Sequence, residues 1–239
     1  MALTLQPGRL VVASAFPDPP FELMEEGAST GFDIAMMQAV AAQLRLTLER
    51  IAYTGADFDD IFDGLKKRKY DAVSSGTTIT PERSETVLFS NPYLEFNQAV
   101  AVNHDRTPHV ASPADLGGLV AGIQSGNTSE FVAQRWLAQK LIADIRYYPY
   151  DGILNALDDL RAGHIGLVIK LFPVISWLVK TDSQLSVAFQ IPTHEKLGIA
   201  FAKDNAELCN AVNAALEELQ SNGALRQLQS CWFPLNSNG

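Results

Sequence analysis

Cysteine and histidine are scarce in this 239-residue chain, with 2 Cys and 4 His, and cations are outnumbered by acids, 18 Lys+Arg against 27 Asp+Glu. Two cysteines make no disulfide lattice, and a body of this length buries enough surface to need none. His104, His109, His164 and His194 show no zinc spacing, so no metal site is implied. A net charge of −9 repels phosphate backbones and anionic lipid, which argues against nucleic acid as a partner. Long hydrophobic runs are missing too. The most apolar stretch, Ile165 to Val179, contains Lys170 and Pro173 and falls short of the ~20 residues a spanning helix needs. A Walker loop, a dinucleotide glycine fingerprint, a nucleophile elbow and a Cys-x-x-Cys pair are all absent, so neither an enzyme nor a cofactor is indicated. The opening Met1-Ala2-Leu3-Thr4 has no basic region followed by an apolar one, so for an exported protein the signal peptide is not in this chain.

What the sequence does have is alternation. Segments rich in β-branched and apolar residues (Leu10–Ala13, Leu48–Ala52, Tyr70–Ser75, Gln98–Val102, Leu119–Ile123, Ile145–Tyr148, Ile165–Ile169, Leu197–Ala202) predict strands. Between them, helical spacing predicts helices over Gly31–Leu44, Phe58–Leu65, Ser129–Leu141 and Ile153–Arg161, with a terminal pair, Glu207–Leu219 and Ala224–Cys231. That order predicts an α/β fold with helices on both faces of mostly parallel sheets. The length suits two lobes.

Two junctions between strand and helix carry chemistry. In Ser75-Gly76-Thr77-Thr78-Ile79-Thr80-Pro81-Glu82-Arg83 a strand runs into a hydroxyl cluster, with Thr80 as helix N-cap and Pro81 at the first helical position. Unpaired N–H groups at such a start attract anions, and Arg83 adds a planar fork suited to a carboxylate. Otherwise the segment is a well-capped helix with an exposed arginine. In Gln124-Ser125-Gly126-Asn127-Thr128-Ser129-Glu130 a second strand ends at a similar turn, with Asn127 or Thr128 as cap. One junction in each half suggests two lobes that close on one small anion beyond the carboxyl ends of their strands.

In its ordered motifs the chain resembles the extracytoplasmic (periplasmic) solute-binding proteins of family 3, those of polar amino-acid transporters, which are related to glutamate-receptor ligand cores. The motifs are Pro19-Pro20-Phe21-Glu22, Gly31-Phe32-Asp33-Ile34, Leu65 to Val73, Thr78 to Arg83 with Phe89-Ser90-Asn91-Pro92-Tyr93, Leu197-Gly198-Ile199-Ala200-Phe201, and Ala215 through Asn222-Gly223 to Cys231-Trp232-Phe233. The resemblance implies a two-lobe clamshell, with residues 1–102 plus 196–239 as lobe 1, 103–195 as lobe 2, and two hinge strands between them. It implies a monomeric periplasmic or extracellular protein that captures a carboxylate-bearing ligand by hinge closure and delivers it to the membrane permease of an ABC transporter. The same fold also serves as the sensing domain of receptor kinases and ligand-gated channels. Arg83 matches the residue that grips the ligand carboxylate, helped by the Gly76 backbone, the Thr78 hydroxyl and the helix start at Thr128. Gln124 matches a position facing the ligand side chain. Phe58 matches an aromatic that packs on the ligand, although its spacing equally suits helix core.

The departures from the family bear on the ligand. The acid that normally holds an α-ammonium falls on Leu171, and His164 to Lys180 contains no carboxylate. The usual stacking aromatic of the first loop falls on Asp18, which becomes the nearest substitute acid. Lys170 is either a solvated lysine at a strand end or a cation that favours a second anionic group; alternation points it away from Leu171. Cys209 and Cys231 lie on the two arms of the terminal helical pair, where glutamate-receptor cores carry a disulfide, and are either bridged or free.

Overall fold

The structure, a computed structural model, describes residues 3–233. The chain opens with β1 (Arg9–Ala15), a small hairpin of β2 (Leu23–Glu25) and β3 (Ala28–Thr30), α1 (Phe32–Gln43) and β4 (Thr47–Tyr53). Next come α2 (Phe62–Lys66), β5 (Ala72–Val73), α3 (Pro81–Thr86), β6 (Val87–Phe89) and β7 (Leu94–Asn103). β8 (Val120–Gln124), α4 (Ser129–Ala138), β9 (Asp144–Tyr148), α5 (Ile153–Ala162) and β10 (Leu167–Leu171) follow, then α6 (Phe172–Val179) and β11 (Leu185–Leu197). β12 (Ala200–Ala202), α7 (Ala206–Ser221) and α8 (Ala224–Trp232) close the described chain.

Two compact units result. One holds the described residues up to Thr54, Ile61–Glu95 and those from Lys196 on; the other holds Gly55–Asp60 and Phe96–Glu195. Phe96–Val102, most of β7, falls in the second unit, and so does the short segment Gly55–Asp60. Its backbone is tied there, Phe58 N–H donating to the Ser125 carbonyl at 3.2 Å and Tyr150 N–H to the Ala56 carbonyl at 2.8 Å.

In the first unit the sheet order is β4-β1-β5-β12-β6. β1 is parallel to β4 and β5, and β12 is antiparallel to β5 and β6. Leu10 to Ala13 is buried throughout, as a strand covered on both faces must be. α1 supplies Phe32, Ile34, Met36, Met37 and Val40 to this core, and α7 supplies Leu208, Val212, Leu216 and Leu219 at helical spacing.

In the second unit the order is β11-β7-β10-β8-β9, with β10, β8 and β9 parallel and β7 antiparallel to β10. Each sheet is therefore mixed, a parallel three-strand core extended on one side by further strands. The period of two divides the second core cleanly. Val100, Val102, Leu167 and Ile169 pack with Trp136 of α4, whereas Ala99, Ala101 and Val168 pack with Ile153 and Leu157 of α5 and Ile175 of α6.

One local expectation changes, and two points that the sequence left open resolve. Phe58 precedes a single 3-10 turn (Asp59–Ile61) and the five-residue α2 and is not part of one continuous helix. The apolar run after Ile165 divides at Leu171 into β10 and α6, because Pro173 suits a helix's first turn but no central strand. Both cysteines are free: Cys209 is buried, with Sγ 3.4 Å from the Phe89 carbonyl oxygen, and Cys231 is exposed.

Candidate functional site

The first unit gathers Asp18, Gly76, Thr78 and Arg83. Thr80 caps α3 as its sequence implies, its hydroxyl accepting from the Arg83 N–H at 3.2 Å with Pro81 in the first turn. Arg83 is no exposed arginine, being 8% accessible. Its Nη1 donates to the Thr78 carbonyl at 3.0 Å, and its guanidinium carbon lies 5.4 Å from the centre of the Phe62 ring. That fixes the plane of the fork before any ligand arrives, which lowers the entropy lost on binding. Thr78 itself bridges to Leu197, and Ile79 N–H donates to the Lys196 carbonyl at 2.8 Å, so β11's end braces the loop.

Gly76 departs from its expected role in one respect. Its N–H is already donated to Asp33 Oδ2 at 2.9 Å and is not held in reserve for a ligand. Asp33 also accepts from Ser74 Oγ at 3.0 Å and from the Tyr93 hydroxyl at 2.9 Å. Complete burial raises its carboxyl to about 6, against those hydrogen bonds and with a further push from the charge of Asp18. Burial likewise drives Tyr93 well above the ordinary phenol range, followed by the charge of Asp33. Glu22, also fully buried, accepts from the Ser75 hydroxyl. These acids thus hold the Ser74–Gly76 loop in place from behind. Asp18 lies among them, 5% accessible, in a tight turn whose carbonyl accepts from the Phe21 and Glu22 N–H groups.

The second unit gathers Phe58, Gln124, Thr128 and Leu171. Phe58 is 3% accessible, with its ring centre 5.2 Å from that of Tyr150. Gly126, at φ 76°, makes the approach possible: a Cβ there would meet Asp57 Oδ1 at 2.2 Å and Phe58 N at 2.7 Å. Gln124 is buried, and its Nε2 donates to the Tyr150 carbonyl. Leu171, paired with Gln98, ends β10 as an apolar residue.

Neither Asn127 nor Thr128 caps α4 by its side chain. The Thr128 hydroxyl instead donates to Glu195 Oε2 at 2.7 Å and accepts from Gln98 Nε2 at 3.0 Å, while Gln98 also donates to Glu195 Oε1 at 2.9 Å. Sequence reasoning missed Glu195, Gln98 and Tyr150. No motif marks them, although the unexplained loss of an acid at Leu171 was a signal to look for one elsewhere. Lys170 is not the solvated strand-end lysine that its position allowed, being 2% accessible. Among the described residues no cluster of His, Cys, Asp or Glu could hold a metal ion, and no helix is long and apolar enough to cross a membrane.

Residues 10–235 match the family described as bacterial extracellular solute-binding proteins, family 3. The chain belongs to that family. A curated relative, ABC transporter arginine-binding protein 1 of Escherichia coli (strain K12), is 36% identical over 224 residues, spanning 90% of this chain and 87% of the relative. Among solved structures, an ancestral arginine-binding protein bound to arginine superposes with a TM-score of 0.85 at 32% identity, covering 95% of this chain and 98% of that one. An ancestral amino acid-binding protein, a precursor of cyclohexadienyl dehydratase, gives a TM-score of 0.84 at 33% identity, covering 95% of each. All three are binding proteins by name. The α/β architecture of this family 3 member is theirs, and the family is one of extracellular amino-acid binders that serve ABC transporters.

Proposed function

We propose that this family 3 protein captures a carboxylate-bearing solute, an amino acid or a close relative, and delivers it outside the cytoplasm, as a monomer, to the permease of an ABC transporter. One observation carries the reading: Arg83 is buried and oriented by the Thr78 carbonyl, which suits a guanidinium held ready for a carboxylate and not one left to solvent. The Thr78 hydroxyl and the backbone N–H groups at the helix start of Thr128 complete the carboxylate's surroundings, the Gly76 carbonyl is left to accept from a ligand ammonium, and Phe58 and Gln124 border the carbon skeleton. Capture works by closure about β7 and β11, the strands that carry the chain from one unit to the other.

Glu195 supplies the negative charge that Leu171 cannot. Joined to Thr128 at the start of α4, it is the acid offered to a ligand ammonium, in preference to Asp18, whose turn lies among the acids supporting Asp33. The relatives described above are binding proteins by name, which supports binding as the function.

A thermal-shift screen of amino acids and dicarboxylates tests the reading. A true ligand stabilises the fold by RT ln(1 + [L]/Kd), about 2.7 kcal/mol at a hundredfold excess over Kd. Arg83→Ala is expected to erase that shift. A shift of equal size in the variant would overturn the proposal.

A further inference from the structure

Unsatisfied polar atoms gather at one place in the second unit. Gln98 Oε1, Gln124 Oε1, Asn127 Nδ2 and Ser129 Oγ are buried and have no hydrogen-bond partner among the described residues. Gln98 is 2% accessible, Gln124 1% and Ser129 0%. Gln98 lies opposite Leu171, the last residue of β10, and Gln124 is the last residue of β8. Asn127 follows in the turn, and Ser129 is the first residue of α4. All four therefore stand at the carboxyl edge of the sheet, where ligands of such folds bind. Buried polar atoms are paired in nearly all folded proteins, and a cluster of exceptions calls for a ligand that completes the set.

Existing hydrogen bonds fix which half of each amide is left over. Gln98 donates Nε2 to Thr128 Oγ1 and Glu195 Oε1, and Gln124 donates Nε2 to the Tyr150 carbonyl, so turning either amide over would set oxygen against oxygen. Asn127 Oδ1 lies 3.4 Å from Lys170 Nζ, which leaves Nδ2 as its free half. Ser129 Oγ, in the first turn of α4, suits the carboxylate end of a ligand, and Gln98 Oε1, beside Glu195, suits the ammonium end. Gln124 Oε1 and Asn127 Nδ2 remain for the ligand side chain, on a turn closed by the Asn127 N–H and the Gln124 carbonyl at 3.4 Å. One is an acceptor and the other a donor. A carboxylate side chain would press an anion on Gln124 Oε1, and a guanidinium would leave Asn127 Nδ2 without an acceptor. A primary amide carries N–H donors and a carbonyl side by side, without charge.

We propose that Gln124 and Asn127 read the side chain of the ligand as a primary amide, so that the solute taken is a carboxamide amino acid of the glutamine type. The inference rests on the carboxylate-capture reading and narrows it. Gln124 Oε1 accepts from the ligand amide nitrogen, and Asn127 Nδ2 donates to the ligand amide oxygen. Specificity comes from rejection as much as from attraction, because an acidic or a guanidinium side chain leaves one of the two buried groups opposed or unmet.

Calorimetric titration of the whole protein with L-glutamine, L-glutamate, L-arginine and L-alanine decides it, using wild type, Gln124→Met, Asn127→Asp and Arg83→Ala. L-glutamine is expected to bind wild type at least tenfold more tightly than each of the other three. Gln124→Met keeps the length of the side chain and should cut the preference for L-glutamine over L-alanine at least tenfold. Asn127→Asp replaces the donor by an acceptor and should cut the preference for L-glutamine over L-arginine by the same measure. Unliganded melting curves check that each variant is folded; if Gln124→Met does not fold, the wild-type ranking and Asn127→Asp decide. L-glutamate or L-arginine binding as tightly as L-glutamine, with Arg83 still required, overturns this inference and leaves carboxylate capture standing. Preferences that ignore both Gln124→Met and Asn127→Asp do the same, and so does no binding of any probe. Binding that ignores Arg83→Ala overturns both.

Discussion

The hydroxyl of Thr128 donates to Glu195 at 2.7 Å and does not cap the helix that it begins. A residue in cap position that spends its side chain elsewhere gives up about 1 kcal/mol of helix stabilisation. What it gains is a fixed carboxylate beside the N–H groups of the first turn. On the proposed reading, that carboxylate takes the place of the acid missing at Leu171 as the charge offered to a ligand ammonium.

Replacing that carboxylate by an amide therefore acts on the ammonium. Glu195→Gln keeps the shape and the Gln98–Thr128 contact but removes a charge-assisted hydrogen bond worth about 1.5–3 kcal/mol. L-glutamate should lose roughly ten- to a hundredfold in affinity, whereas glutarate, which lacks the ammonium, should not weaken. The ratio of the two dissociation constants is the readout. An unchanged ratio would remove Glu195 from ligand recognition.

Asp33 makes stability depend on pH in an uncommon direction. Its native carboxyl titrates at about 6, raised from 3.8 by burial, so between roughly pH 4 and 6 the native state holds a proton that the unfolded chain has released. Stability then falls as pH rises through that window, by at most about 3 kcal/mol for a shift of this size. Chemical denaturation from pH 4 to 7 should show the decline in wild type. In Asp33→Asn the decline should be much smaller, leaving what the carboxyl of Asp71, also raised by burial, contributes. A wild type that gains stability relative to Asp33→Asn over the same range would contradict the assignment.

Two glycines with similar dihedrals separate strain from crowding. Gly118, at φ 82°, has nothing within 4 Å of an added Cβ, so Gly118→Ala should cost about 1 kcal/mol from the left-handed conformation alone. Gly126, at φ 76°, would drive its Cβ into Asp57 and the Phe58 backbone, so Gly126→Ala should cost clearly more and should also displace Phe58. Urea midpoints rank the two, and equal losses would show that the 57–59 segment yields freely.

The thiols give a simple check on the terminal helices. Cys231 is exposed, while burial raises the thiol of Cys209 and slows its attack. An aromatic disulfide reagent should react quickly with one thiol and slowly with the other, and reductant should leave the melting temperature unchanged. Failure to titrate any thiol without reductant would indicate a bridge.

How far the sequence reaches is clearest where structure is local. Thr80-Pro81 announced the start of α3, and the spacing of Phe32 to Leu44 announced α1, because caps and periodicity are written in neighbouring residues. β11 was missed: most of its side chains are only partly buried and it carries Pro192, so neither period stands out. The site divides in the same way. Arg83 and Thr78 lie within one motif and could be read together. Glu195 meets Thr128 across 67 positions, and Lys170 is buried by Tyr150 from a different loop, which only the pairing of strands brings about.

The central claim is that Arg83 grips a carboxylate, and calorimetry on a single substitution addresses it directly. The tightest-binding acid from the screen is titrated into wild type and Arg83→Lys, which keeps the charge but loses the planar fork. The account predicts a loss of at least tenfold in affinity with an unchanged melting point for the unliganded protein. An affinity within threefold of wild type would contradict it.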